Sequence, residues 1–470
     1  LEGDAEIQQA VRFALFQTLQ AGARVEHRPI PAKGLTGTGY DGHAFWDSEI
    51  FVLPVLTLTA PHAAADALRW RHSTLDLARD HARELGLRGA AFPWRTITGT
   101  ECSGYWPAGT AGFHINADIA YAVAFYIAAT GDTAFEEKVG LELLVETARL
   151  WRSLGYLNVA TDQFRIDGVT GPDEYSALAD NNVYTNLMAR QNLRWAADAA
   201  ERHPEKARTL GVDSAEANSW REAAEKMFIP YDERLQVNSQ DETFTEHEVW
   251  DFAGTAPDQY PLLLHFPYFN LYRKQVVKQA DLILAMYLHS DEFTAEQKAR
   301  NFAYYEPLTV RDSSLSASTQ AVLAAEVGQL QLAYDYLGEA ALIDLHDLHH
   351  NVKDGIHMAS LAGAWTALVA GFGGMRVQHS SLSFMPRLPD ALKRLAFHLM
   401  FRGSRLRVEV TATEATYRLL DGPPLTIRHH GEEIHLSVAD PISHPIPPIQ
   451  AGPRPTQPPG REPRPRGSRI

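Results

Sequence analysis

The sequence predicts a mainly α-helical fold: an (α/α)6 barrel followed by a small antiparallel β-domain and a disordered tail. Three observations carry that prediction. Helical periodicity runs from the first residues to about residue 375, patterning switches to alternation after Gly373-Gly374, and the end is rich in Pro and Arg. The expected boundaries are 1–376 for the barrel, 377–440 for the β-domain and 441–470 for the tail.

The helices follow in order. Ile7, Val11, Leu15 and Leu19 fall four apart and make one stripe. Leu68, Leu75, Ala78, Ala82 and Leu85 make a second, stopped by Gly86, which suits the left-handed position after a helix. Ile119, Val123 and Ile127 precede Gly131; Leu141, Leu144, Ala148 and Trp151 precede Gly155. Further segments at 183–202, 214–228, 272–288, 294–305, 316–328, 329–343 and 359–372 bring the count to about eleven. Thr294 and Gln297 have the spacing of a capping box. Short connections favour antiparallel neighbours, and twelve paired helices close a toroid. An open stack of helix pairs would show a repeating period, and none is visible. Past Gly374, Leu395, Phe397, Leu399 and Phe401, then Leu406, Val408 and Val410, alternate with mostly polar residues as half-buried strands do. Gly403 and Asp421-Gly422 stand where turns are needed. From Asp440 the chain turns Pro-rich, and its last twenty residues carry five arginines and one glutamate, too little apolar surface to order itself.

Composition narrows the function classes. The 470 residues carry 43 Lys+Arg and 58 Asp+Glu, a net charge of -15, so phosphate backbones and anionic membranes are poor partners. No apolar run reaches the ~18 residues of a membrane span. The single Cys102 excludes an intrachain disulfide and a cysteine-based zinc site. It fits a reducing compartment, and the chain is expected in the cytoplasm. Helical pattern begins within a few residues of Leu1, so the chain reads as a piece of something longer.

Five clusters lie between the helices. Gly39–Glu49 packs two glycines, three aromatics and three carboxylates into one loop. Aromatic faces for sugar rings and carboxylates for hydroxyls are what a carbohydrate site requires, although a buried aromatic turn reads as well. Phe92-Pro93-Trp94-Arg95 through Trp106-Pro107 to His114-Ile115-Asn116 is a second aromatic loop, longer than a connector needs. Gly171-Pro172-Asp173-Glu174-Tyr175 holds two carboxylates on a constrained turn; desolvation among aromatics suits a general acid, and an ordinary N-cap is the plainer alternative. Arg311-Asp312-Ser313-Ser314 opens a helix, as an anion site or as plain capping. His346, His349, His350 and His357 lack an evident convergent geometry, so no metal is expected. Lys278 at a helix start opposes the macrodipole.

Phe45-Trp46-Asp47, Gly171–Tyr175, Lys278-Gln279-Ala280-Asp281 and Asp312–Ser316, in this order, resemble glycoside hydrolase family 65, which includes maltose, trehalose and kojibiose phosphorylases and acid trehalases. The family's large N-terminal β-sandwich has no counterpart in residues 1–470. The resemblance implies that Glu174 is the proton donor and that Trp46, Asp47, Lys278 and Gln279 contact the sugar. It implies that Ser313, Ser314 and His357 hold inorganic phosphate, with Arg311 where many phosphorylases have a histidine. It also leaves room for a homodimer. The expected reaction is inverting cleavage of an α-linked glucose disaccharide by phosphate, with no cofactor. Hydrolysis, with Glu306 or Asp312 activating water, and non-catalytic carbohydrate binding are the alternatives.

Overall fold

The computed structural model describes residues 1–466 apart from 24, 26, 27, 105 and 439. Among them, twelve helical segments make the barrel: α1 (Ala5–Gly22), α2 (48–59), α3 (61–84), α4 (His114–Thr130), α5 (133–154), α6 (Val183–Arg202), α7 (Ser214–Glu225), α8 (Asp281–Leu288), α9 (Ala295–Tyr305), α10 (Ser316–Glu326), α11 (Leu330–Leu342) and α12 (358–372). Even-numbered helices form an inner ring, each packing on the next, and α12 closes it by packing on both α10 and α2. Odd-numbered helices lie outside. The inner position explains inner composition: in α8 every residue but Tyr287 is buried.

The helix that periodicity does not reveal is α2. Every residue from Ser48 to Leu58 is buried, and a helix apolar on all sides has no stripe. Its single acidic group, Glu49, meets Arg71 of α3 at 2.6 Å, both almost fully buried, and breaking such a pair costs about 3–5 kcal/mol. The expected helix at 272–288 begins only at Asp281. Val277 instead joins the 308–310 segment, donating to the Leu308 carbonyl and accepting from Val310 N–H, both at 2.9 Å, which keeps Lys278 on extended chain. The capping box at Thr294 and Gln297 forms, with both reciprocal bonds.

Two short ribbons stand in the loops: β1 (Tyr156–Asn158) with β2 (Gln163–Arg165), and β3 (Glu248–Val249) with β4 (Lys274–Gln275). After α12 come β5 (Arg376–Gln378), β6 (Ser381–Phe384), β7 (Leu395–Phe401), β8 (Ser404–Val410), β9 (Glu414–Asp421), β10 (Leu425–His429), β11 (Glu432–Leu436) and β12 (Ile442–Pro445). They form two four-stranded sheets, ordered β11-β10-β6-β5 and β12-β9-β8-β7. All pairs are antiparallel except β6 with β10. The alternation read from sequence is the β7–β8 hairpin, whose inward residues Leu395, Phe397, Leu399 and Phe401 are buried. Arg402 and Gly403 turn it with φ of 48° and 77°, the left-handed pair of a tight hairpin. Arg402 N–H donates to the Ala129 carbonyl at the end of α4, so the sheets sit where the inner helices finish.

Among the described residues the tail has no regular structure after Pro445, in keeping with its composition, yet it is not detached from the barrel. Its arginines find carboxylates: Arg454 meets Asp335, Arg461 meets Asp312, and Arg466 meets Asp4 and Glu6. Net hydrophobicity undervalues such a segment because ion pairs add to the apolar contacts of Ile446 and the burial of Pro458 and Pro463.

Candidate active site

A cavity of about 670 Å³ opens where the inner helices begin, a size suited to a small ligand. Each inner helix contributes the loop just before it: Phe45-Trp46-Asp47 before α2, Trp94 and Trp106 before α4, Gly171–Glu174 before α6, Lys278-Gln279 before α8, Arg311–Leu315 before α10, and His349–His357 before α12. The barrel thus gathers residues more than 300 positions apart. All nine residues singled out from sequence line this one cavity: Trp46, Asp47, Glu174, Lys278, Gln279, Arg311, Ser313, Ser314 and His357. Of the second aromatic loop, Tyr105 lies outside the described residues.

Aromatics shape the walls. Trp46 stands edge-on to His114 with centroids 5.0 Å apart, and Phe45 to Trp94 at 5.2 Å. Trp106 stacks on Tyr268 at 5.6 Å, and the Tyr268 hydroxyl donates to the Glu174 carbonyl.

The loop carrying Glu174 is held from beneath by buried carboxylates. Asp173 accepts from Lys278 N–H at 2.8 Å and from Gln240 Nε2 at 2.8 Å. Asp281 accepts from Asp173 N–H and Asn182 Nδ2, both at 2.6 Å. Burial raises the pKa of both acids above the usual range, that of Asp173 to about 7, and the Asp173 charge raises Asp281 further. Gly171 is required here, because a Cβ would overlap Asp281 Oδ2.

Glu174, the proton donor that the resemblance implies, is paired in the structure: Lys278 Nζ donates to its Oε2. Burial works against the Lys278 charge, but Glu174 outweighs it and lifts the lysine pKa. Gln279 donates to the Pro172 carbonyl at 2.6 Å and accepts from Ser313 Oγ, tying the Glu174 loop to the serines. Asp47 faces the cavity, and burial raises its pKa to about 6.

Arg311 differs from expectation. It lines the cavity, but its guanidinium forks onto Glu339 at 3.0 and 3.3 Å and onto the Arg461 carbonyl. Asp312 and Glu306 are also committed. Asp312 accepts from Tyr175 Oη, Leu262 N–H and Arg461; Glu306 accepts from Tyr336 Oη, Gln320 and Gln457.

Three residues were missed from sequence. Lys33, buried, donates to His357 Nε2 at 2.9 Å, and His357 Nδ1 donates to Asp344 at 2.7 Å. Burial lowers the Lys33 pKa, with Asp344 opposing. Arg461 reaches the cavity from the tail. A lysine in Pro31-Ala32-Lys33-Gly34, beside the aromatic cluster, was the available signal; Asp344 and Arg461 gave none. Among the histidines, His346 points away to Glu6 at 3.1 Å. No group of three or more His, Cys, Asp or Glu among the described residues could hold a metal ion.

A helical toroid whose mouth combines tryptophans with carboxylates is suited to carbohydrate, and the family matches make the class a carbohydrate-active enzyme. Residues 12–366 match the glycosyl hydrolase family 65 central catalytic domain and residues 375–436 match its C-terminal domain; the chain belongs to that family. An uncharacterised glycosyl hydrolase of Mycobacterium tuberculosis is 60% identical over 468 residues, covering 98% of this chain and 59% of the relative. The α,α-trehalose phosphorylase of Geobacillus stearothermophilus is 45% identical, covering 94% of this chain and 59% of the relative. A solved structure from the human microbiome, provisionally assigned as a kojibiose phosphorylase, superposes with a TM-score of 0.89 at 31% identity, over 96% of this chain and 67% of that one. The chain therefore spans about three fifths of the length of the curated relatives it matches.

Proposed function

We propose that this chain carries the catalytic site for phosphorolysis of an α-linked glucose disaccharide, with inversion, to β-glucose 1-phosphate and glucose. Glu174 gives a proton to the glycosidic oxygen as the bond to the anomeric carbon breaks. A phosphate oxygen bonds that carbon from the opposite face. Trp46 packs on the sugar and Asp47 accepts its hydroxyls. Lys278 leaves Glu174 for a sugar hydroxyl when substrate arrives, which frees the carboxyl to carry its proton. Ser313, Ser314 and His357 hold the phosphate, and Lys33 behind His357 supplies positive charge.

The observation that carries this reading is how the carboxylates are used. Water needs a base, whereas phosphate arrives as an anion. Asp312 and Glu306, the acids nearest the serines in sequence, are both saturated by donors. Asp47, free of such partners and with a raised pKa, is what a hydrolytic reading would rest on. Among disaccharides we favour α,α-trehalose, supported by the higher identity to the trehalose phosphorylase, 45%, than to a maltose phosphorylase, 36%, or a kojibiose phosphorylase, 37%.

The test is incubation of trehalose, maltose and kojibiose with and without phosphate, following glucose and glucose 1-phosphate. Trehalose cleavage that requires phosphate is expected. Equal glucose release without phosphate would end the phosphorolytic reading, and full turnover by Glu174→Gln would remove that residue from the mechanism.

A further inference from the structure

The tail beyond β12 lies outside the segments matched to the family's two domains, and it does something specific. From Pro445 it runs along α11 toward the cavity, turns at its tip and comes back. On the way up Gln329 donates to the Gly452 carbonyl at 2.8 Å and Arg454 meets Asp335 at 3.4 Å. At the tip Arg461 N–H closes a turn onto the Pro458 carbonyl at 2.9 Å, with Gly460 at φ 74°. On the return Arg466 N–H donates to the same Asp335 at 2.8 Å, and its guanidinium meets Asp4 and Glu6, each at 2.8 Å. Gly338 of α11 gives it room: a Cβ there would overlap Arg466 Cδ, so the arginine would have to shift.

The tip delivers Arg461 to the segment that precedes Ser313 and Ser314. Its Nε donates to the Val310 carbonyl and its Nη2 to Asp312 Oδ1, both at 2.8 Å, while its guanidinium lies 4.6 Å over the Tyr260 ring. Its own carbonyl accepts from Arg311. Residues 310, 311 and 312 are thus each bonded to one tail residue. Asp312, with its side chain 1% exposed, also accepts from Tyr175 and Leu262, so it joins the Glu174 loop, the 260 loop and the tail. A buried carboxylate stripped of its only cationic partner among the described residues must move or take up water, and the adjoining serines move with it.

We propose that Arg461, at the tip of a C-terminal strap, is a positioning residue for the 310–314 segment and thereby sets the affinity of the anion site at Ser313 and Ser314. The inference rests on the phosphorolytic reading only for the identity of the anion. Three variants test it: Arg461→Ala, Arg461→Lys, and a chain ending at Ile446. Hydrogen exchange at amides 310–316 is measured first, then the KM for phosphate and kcat. Arg461→Ala and the shortened chain are expected to lose protection at 310–316 and to raise the phosphate KM about 10-fold or more. kcat should change less than the KM. Arg461→Lys, which keeps the charge but not the fork that reaches both Val310 and Asp312, should recover only part. Unchanged exchange at 310–316 in Arg461→Ala overturns the proposal, as does an unchanged phosphate KM in an enzyme that requires phosphate. Lost protection together with phosphate-independent turnover would overturn the phosphorolytic reading and leave the strap standing.

Discussion

Replacing Asp47 by Asn separates what the site costs the fold from what it does for the reaction. Burial lifts the Asp47 pKa from 3.8 to about 6, with the charges of Glu49 and Glu174 adding to the rise and His357 opposing it. A rise of about two units corresponds to about 3 kcal/mol, and solvent in the cavity mouth reduces this to about 2 kcal/mol. The sign follows from proton counting. Between 3.8 and about 6 the folded chain keeps a proton that the unfolded chain has released, so stability is full below 3.8 and falls as pH rises through 6. Asp47→Asn has no such titration. Its advantage over wild type, from urea unfolding, is expected to be near zero at about pH 4 and to level at about 2 kcal/mol above about pH 7. Turnover should move the other way, with kcat/KM down about 100-fold for a lost charged acceptor. An advantage that does not change with pH, or a variant less stable than wild type at about pH 8, would refute the burial argument.

Two further substitutions probe the supports of the site. Lys33→Met removes the ammonium on His357 Nε2, and the phosphate KM is expected to rise about 10- to 100-fold with kcat less affected, read from initial rates against phosphate concentration. Gly171→Ala places a methyl against Asp281 Oδ2 and 2.5 Å from Asn182 Nδ2, so thermal unfolding should show a loss of about 1–3 kcal/mol. Because those two side chains hold the Glu174 loop, its turnover should fall further than its stability does; a variant of normal stability and rate would show that the loop tolerates a shift.

Periodicity found the outer helices, most of the inner ones and the β7–β8 hairpin, because each keeps some difference between its faces. It failed in two places where that difference is lost. The inner helix α2 reads as an unpatterned apolar run, and the extended chain at 274–279 reads as the start of a helix because Val276 and Val277 fit a stripe whichever way they fold. Both segments adjoin the cavity. In this barrel the two segments that pattern misreads both help place the chemistry, since α2 directly follows Trp46 and Asp47 and the chain at 274–279 carries Lys278 and Gln279.

Site residues divide by the same logic. Trp46, Asp47 and Glu174 stand in clusters dense enough in aromatics, Gly and carboxylates to attract notice on composition, and Lys278 and the serines draw notice by their place at helix starts. Lys33, Asp344 and Arg461 do not, because each works through one partner that sequence distance conceals: Lys33 and Asp344 flank His357 from opposite ring nitrogens, and Arg461 meets Asp312 across 149 positions. Local pattern reports a side chain's surroundings only when neighbours in space are neighbours in sequence. A toroid of paired helices brings six separate loops to one mouth, so most polar pairings there join distant segments. That is also why the ties of Arg311, which lines the cavity, could not be read from its position: its Nε and Nη2 are held by Glu339 and the tail. Partners that lie elsewhere in the chain set how such a side chain is aimed.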